Sequence, residues 1–135
     1  MKTMQTAARD LARTLFDDLA AGRTGTVARA CSPDVTWWIP LDGADHAGAA
    51  AVERALLACV GAEAGRVTLE SLIASEDGST VVVEQSVARE EGVATPATSV
   101  LSLEDGRVIA GRTYIDVADW DAAARDGGAQ GRRRP

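Results

Sequence analysis

From Thr6 onward, Ala8, Leu11, Leu15 and Leu19 recur at steps of three and four with charged residues between them. That is the period of one buried helix face, and it predicts a helix over 6–21 that stops at Gly22. Thr24 carries a hydroxyl that can accept from the orphan N–H groups of a first turn, and it predicts the cap of a short second helix through Ala30, broken by Pro33. The run Asp34-Val35-Thr36-Trp37-Trp38-Ile39 is β-branched and aromatic and ends at Pro40, which predicts a strand. Leu41 to Gly48 reads as a loop. A third helix follows, with Val52, Leu56, Cys59 and Val60 on one stripe and glycines at 61 and 65 to close it.

The second half changes period from helical to alternating. Val67 to Ala74 and Thr80 to Arg89 flank Asp77-Gly78, and Ala97 to Leu103 and Arg107 to Asp116 flank Asp105-Gly106. Asp-Gly tolerates the positive φ angles of tight hairpin turns, so two β-hairpins are predicted, joined by a loop from Glu90 to Pro96. Trp120 to Arg125 is long enough for one last helical turn. Three helices interleaved with one strand, then a four-stranded antiparallel meander, predict an α+β layer with helices on one face of a curved sheet.

Composition narrows what such a layer can do. The chain has 135 residues, 46% hydrophobic and 25% charged, enough apolar side chain for one core. A single domain over 1–126 is expected, with 127–135 as a flexible Gly/Arg-rich tail. A net charge of −6 supplies no basic face for nucleic acid or an anionic membrane. The N-terminus lacks a continuous apolar region, so a soluble cytoplasmic protein is expected. Cys31 and Cys59 read as buried thiols, not a disulfide framework. With one histidine and two separated cysteines, no metal-ligand cluster is expected, and no Gly-rich phosphate loop follows a strand.

The element order, with Asp34-Val-Thr-Trp-Trp-Ile-Pro and the closing run Asp105-Gly-Arg-Val-Ile-Ala-Gly-Arg-Thr-Tyr-Ile-Asp116, resembles the SnoaL-like branch of the nuclear transport factor 2-like superfamily over about residues 6–125. The resemblance implies a cone in which a curved sheet wraps a deep apolar pocket closed by the N-terminal helices. It implies relatives as different as polyketide cyclases, ketosteroid isomerase, limonene epoxide hydrolase and non-enzymes, because one cone carries unrelated chemistries. Gly106-Arg107-Val108 with Arg112, Tyr114 and Asp116 fits the superfamily's closing strand. The five positions that activate water in limonene epoxide hydrolases correspond here to Trp37, Ile39, Gln85, Val87 and Thr113, none of which is an acid, a base or a guanidinium. The residue before Pro40, where ketosteroid isomerases carry a carboxylate base, is Ile39. The pocket carboxylate of SnoaL-type cyclases falls near Asp116.

Alternation along the last strand puts Arg112, Tyr114 and Asp116 on one face and Gly111, Thr113 and Ile115 on the other. The resemblance sends Ile109, Thr113 and Ile115 inward and makes Trp37 a pocket wall, with Trp38 on the opposite face. Phe16, Trp37, Leu56, Gln85, Leu101, Thr113 and Tyr114 are the candidate substrate-binding residues. Asp116, Asp42 and His46 are the candidate proton carriers, His46 because its ordinary pKa lies near neutrality and its loop would rim the pocket mouth. Glu84 is expected to face out if Gln85 faces in, and Glu70 is left unassigned. The resulting expectation is a cofactor-independent cyclase or isomerase acting on a small hydrophobic, polyketide-like substrate, working as a homodimer packed sheet to sheet. The alternatives are an epoxide hydrolase-like or dehydratase enzyme, and a non-catalytic ligand-binding or dimerisation module.

Overall fold

The computed structural model describes residues 3–39, 43–90 and 93–115. Asp42, Asp116, the expected helical turn at 120–125 and the tail lie outside these residues. The first helix, α1 (Met4–Ala21), buries the predicted stripe, with Ala12 and Phe16 added to Ala8, Leu15 and Leu19. Gly22 ends it in the left-handed conformation, φ 76°, and its N–H donates back to the carbonyls of Asp18 and Leu19.

The second helix, α2 (Thr26–Ala30), is not capped by Thr24. Gly25 is its N-cap, at φ 83° and with no side-chain capping bond of its own. The orphan donors are met from the third helix, α3 (Ala49–Val60): the Gly25 N–H donates to Glu53 Oε2 at 3.0 Å and the Val27 N–H to Glu53 Oε1 at 3.1 Å. A carboxylate at this end also opposes the partial positive charge of the helix terminus. Nothing local announces such a cap, because its acceptor side chain lies 28 residues downstream of Gly25 and 26 downstream of Val27. Asp18 ties the same corner together, accepting from Arg23 Nη1 at 2.8 Å and from the Thr26 hydroxyl at 3.0 Å. The Arg23 guanidinium beside it holds the Asp18 carboxyl below the usual carboxylate value.

The strands are β1 (Cys31–Ile39), β2 (Ala44–Ala47), β3 (Arg66–Ala74), β4 (Thr80–Glu90), β5 (Val93–Glu104) and β6 (Arg107–Ile115). They form one six-stranded sheet in the order β2-β1-β6-β5-β4-β3. Both Asp-Gly hairpins form as expected. The sheet departs from expectation in three places. The loop expected at 41–48 contains β2, a short edge strand of Ala, Asp and His with no apolar alternation to announce it, paired antiparallel to β1. The expected linker 90–96 is mostly strand, since β5 begins at Val93 and Pro96 lies opposite Ser86. Beyond the Ala97–Ile115 pair β5 has only β4 as a described neighbour, so a residue without an N–H is tolerated there. Lastly, β1 runs parallel to β6, which joins the first strand to the last and places both in the middle of the sheet.

Register shifts bend this sheet. Glu70 is an extra residue on β3 between the Leu69–Gln85 and Ser71–Glu84 pairs, and Ile109 is an extra residue on β6 between Val108–Leu103 and Ala110–Ser102. Each bulge kinks its strand, raises the local twist and reverses which side chains face in. That is why Ile109, expected to face inward, is 36% exposed while Val108 is buried. Glu70 thereby joins the outer face, where it accepts from the Ser86 hydroxyl at 2.8 Å. Glu84 faces out as expected. Helix α1 covers β3 and β4, and α3 covers β1 and β2, so one face of the sheet is buried beneath helices. No described helix is long and apolar enough to cross a membrane.

Candidate functional site

Two rows of residues cross the inner face. In the first, His46 on β2 pairs with Trp37, Trp37 with Gly111, Gly111 with Leu101 and Leu101 with Val81. In the second, Thr113 pairs with Ser99 and Ser99 with Val83. The Trp37 indole leans across both. A Cβ on Gly111 would lie 2.5–2.6 Å from three of its ring atoms, so only glycine leaves room for the ring. From that position Nε1 donates to Thr113 Oγ1 at 2.8 Å, and Thr113 Oγ1 lies 2.8 Å from Ser99 Oγ. Phe16 closes the far side of the indole edge-on, with ring centroids 6.4 Å apart.

The structure therefore brings Phe16, Trp37 and Thr113 together, and buries Leu56, Gln85 and Leu101 with them in one core. Trp37, Ile39, Gln85, Val87 and Thr113, the positions that the resemblance aligns with the water-activating residues of the epoxide hydrolases, are all buried. Tyr114 is not part of this group. It is 45% exposed on the outer face, because alternation from the buried Thr113 turns it away. There it lies 5.7 Å from the Trp38 ring, centroid to centroid, with the Arg112 guanidinium carbon 5.9 Å from its own centroid. His46 sits on an edge strand instead of a loop. It faces the same side as its partner Trp37 and lines a groove of about 400 Å³ with Ile39, Ala51, Arg54, Ala55 and Cys59.

Reasoning from sequence missed Ser99 and Thr95, both buried polar residues on β5. The signal was available, because both share the parity of Leu101, which was expected to face in. Among the described residues the buried polar side chains are Thr26, Gln85, Thr95, Ser99 and Thr113, all uncharged. Gln85 is 2% exposed, and its Oε1 is buried with no hydrogen-bond partner among them. Neither cysteine is in a disulfide, both are buried, and burial pushes the Cys31 thiol up to about 12, which leaves it without thiolate character at neutral pH. No group of three or more metal-ligating side chains occurs among the described residues. The inner face can thus accept or donate hydrogen bonds in a dry setting, and its described part holds no strong base.

A family model described as a SnoaL-like domain matches residues 12–111. Solved structures share the fold at low identity. A protein from Kribbella flavida is 21% identical, with 93% of this chain and 99% of that one covered, at a TM-score of 0.75. A steroid delta-isomerase from Pseudomonas aeruginosa is 19% identical over 92% and 90% of the two chains, at 0.71. A structure described as a SnoaL-like polyketide cyclase, from Jannaschia sp. CCS1, is 19% identical over 93% and 94%, at 0.68. No curated protein matches the sequence. These structures share a nuclear transport factor 2-like architecture with the chain.

Proposed function

Because the chain belongs to the SnoaL-like domain family, we propose that it is a cofactor-independent cyclase or isomerase that folds a small polyketide-like molecule against the inner face of its sheet. The observation that supports this reading is the buried run of Trp37, Thr113 and Ser99, linked at 2.8 Å and 2.8 Å among apolar side chains. A hydroxyl held in this way donates to a substrate carbonyl as its oxygen gains charge during ring closure, and a dry setting strengthens that bond. Holding a flexible chain in a reactive conformer removes several kcal/mol of the barrier before any proton moves. Trp37 and Phe16 form the aromatic wall. Proton transfer falls to Asp116, Asp42 or His46.

The test is a linear poly-β-ketone thioester incubated with the enzyme, with ring formation followed by absorbance and mass. Thr113→Val is expected to slow closure by about 10–100-fold, since it removes a donor aimed at developing charge. Neutral replacements of Asp116, Asp42 and His46 are each expected to slow it by smaller factors. One of those three abolishing turnover with binding intact would make the enzyme an acid–base catalyst of the aldol or hydrolase type. Binding of the chain with closure no faster than in buffer would make the protein a ligand-binding module.

The same reading includes a homodimer packed through the outer face. Register places Trp38, Arg112, Val100, Val82 and Ile73 side by side across all the long strands, and the Tyr114 ring lies tilted at 55° against Trp38. Ile73 is 60% exposed, and an apolar stripe of this kind is characteristic of an interaction surface. Sedimentation at tens of micromolar, roughly where a stable interface is saturated, is expected to give a dimer, and a monomer would refute it.

A further inference from the structure

Helix α3 does not close down fully on the edge strand β2. Its residues Ala51, Arg54, Ala55 and Ala58 follow one another at steps of three, one and three, so they share one face of the helix. Three of the four are alanine, and between that face and His46 lies a groove of about 400 Å³ floored by the buried side chains of Ile39 and Cys59. A space of this size takes a small molecule with an apolar body.

The groove differs in sign from the molecule that carries it. The chain has a net charge of −6, yet the ionic side chain among the described lining residues is the Arg54 guanidinium, with the His46 imidazole on the facing strand. The acids next to these two residues in sequence are directed elsewhere. Glu53 accepts from the Gly25 and Val27 N–H groups with its two carboxylate oxygens, and Asp45 pairs in register with Trp38, on the outer face. A guanidinium beside apolar walls attracts an anion more strongly than one surrounded by water, because the walls lower the local dielectric. Its planar fork matches the two oxygens of a carboxylate. An inorganic anion would satisfy the fork and leave the apolar floor uncovered, whereas a carboxylate with a ring attached meets both.

We propose that this groove is a binding site for a small carboxylate with an apolar, ring-sized body, the carboxylate paired with Arg54 at the rim and the body lying over Ile39, Ala55, Ala58 and Cys59. The site stands apart from the buried run of Trp37, Thr113 and Ser99, and it does not depend on the reaction proposed above.

The test compares 3-phenylpropanoate with 3-phenylpropanamide, which are close in size and differ in charge, by calorimetry on the full chain. Wild type is expected to bind the acid about fivefold more tightly, the upper range for a partly exposed ion pair, and the preference should shrink as salt is raised. Arg54→Met keeps an apolar stem, removes the charge and is expected to bring the ratio close to one. Arg54 is exposed, so the melting temperature of this variant should match wild type. Ala58→Leu projects a larger side chain into the groove from an exposed helix position and is expected to weaken both compounds at least tenfold. Failure of both compounds to bind, equal affinities in wild type, a preference that survives Arg54→Met, or an Ala58→Leu variant with wild-type affinities would each overturn the proposal. Binding of the acid that appears only in Asp42→Asn would assign Arg54 to that carboxylate and overturn it as well. Because the readout is binding of the two probes, any of these failures leaves the ring-closing reaction to its own test.

Discussion

Trp37→Ala is expected to destabilise the protein by about 3–5 kcal/mol, a large part of what holds a domain of this size together. The indole has no exposed surface, its N–H is the donor to Thr113, and its ring occupies the space that Gly111 leaves open. Truncation removes all three relationships at once and opens a void between Phe16 and the closing strand. Trp37→Phe keeps an aromatic ring and loses the hydrogen bond, so urea denaturation should place it between alanine and wild type. Gly111→Ala attacks the same contact from the other side and is expected to cost about 1–3 kcal/mol, the usual range for overpacking, because the fully buried ring has little room to yield. A Trp37→Ala variant that unfolds at the wild-type urea concentration would mean that the indole contributes nothing to holding the core together.

Glu53→Ala is expected to cost about 2–3 kcal/mol and roughly 10 °C of melting temperature, more than an ordinary surface carboxylate contributes. Both carboxylate oxygens are committed, one to the Gly25 N–H and one to the Val27 N–H. Without them the start of α2 keeps only Gly25, which has no capping side chain. Glu53→Gln retains one acceptor oxygen and should fall between the two. A melting curve for Glu53→Ala that overlays wild type would show that water replaces the carboxylate at no cost.

The elements that were legible in the sequence are those whose signal is local. The apolar stripes of α1 and α3 repeat at the helical period, and the two Asp-Gly turns fix the hairpins that flank them. Parity carried the inner face equally well, so that Trp37, Gln85, Leu101 and Thr113 fall where alternation puts them. What escaped was set by distant partners or by one-residue insertions. Strand β2 is defined only by its pairing to β1, and the cap of α2 only by a side chain on α3. The bulge at Ile109 leaves no mark in composition, yet it reverses every position before it on the strand. Tyr114 was grouped with the substrate residues on the strength of the closing-strand resemblance, against the parity that the same strand displays. The carboxylates that the resemblance singled out, Asp42 and Asp116, lie outside the described residues, so the candidate site is known from its walls and its hydrogen bonds.

The parallel pairing of β1 with β6 also has a kinetic side. Trp37 and Thr113 are 76 positions apart, and the loop that must close before they meet contains every other strand of the sheet. Local hairpins such as β3–β4 and β5–β6 form in about 1–10 μs, whereas contacts of high sequence separation are the slow ones in small domains. On a ribosome the N-terminal helices and β1 emerge first and must wait, with the Trp37 ring exposed, until the last strand has been made. The indole that closes the inner face is thus among the parts of the core with the longest exposure before folding, and the interval before β6 arrives is when this chain most needs protection from aggregation.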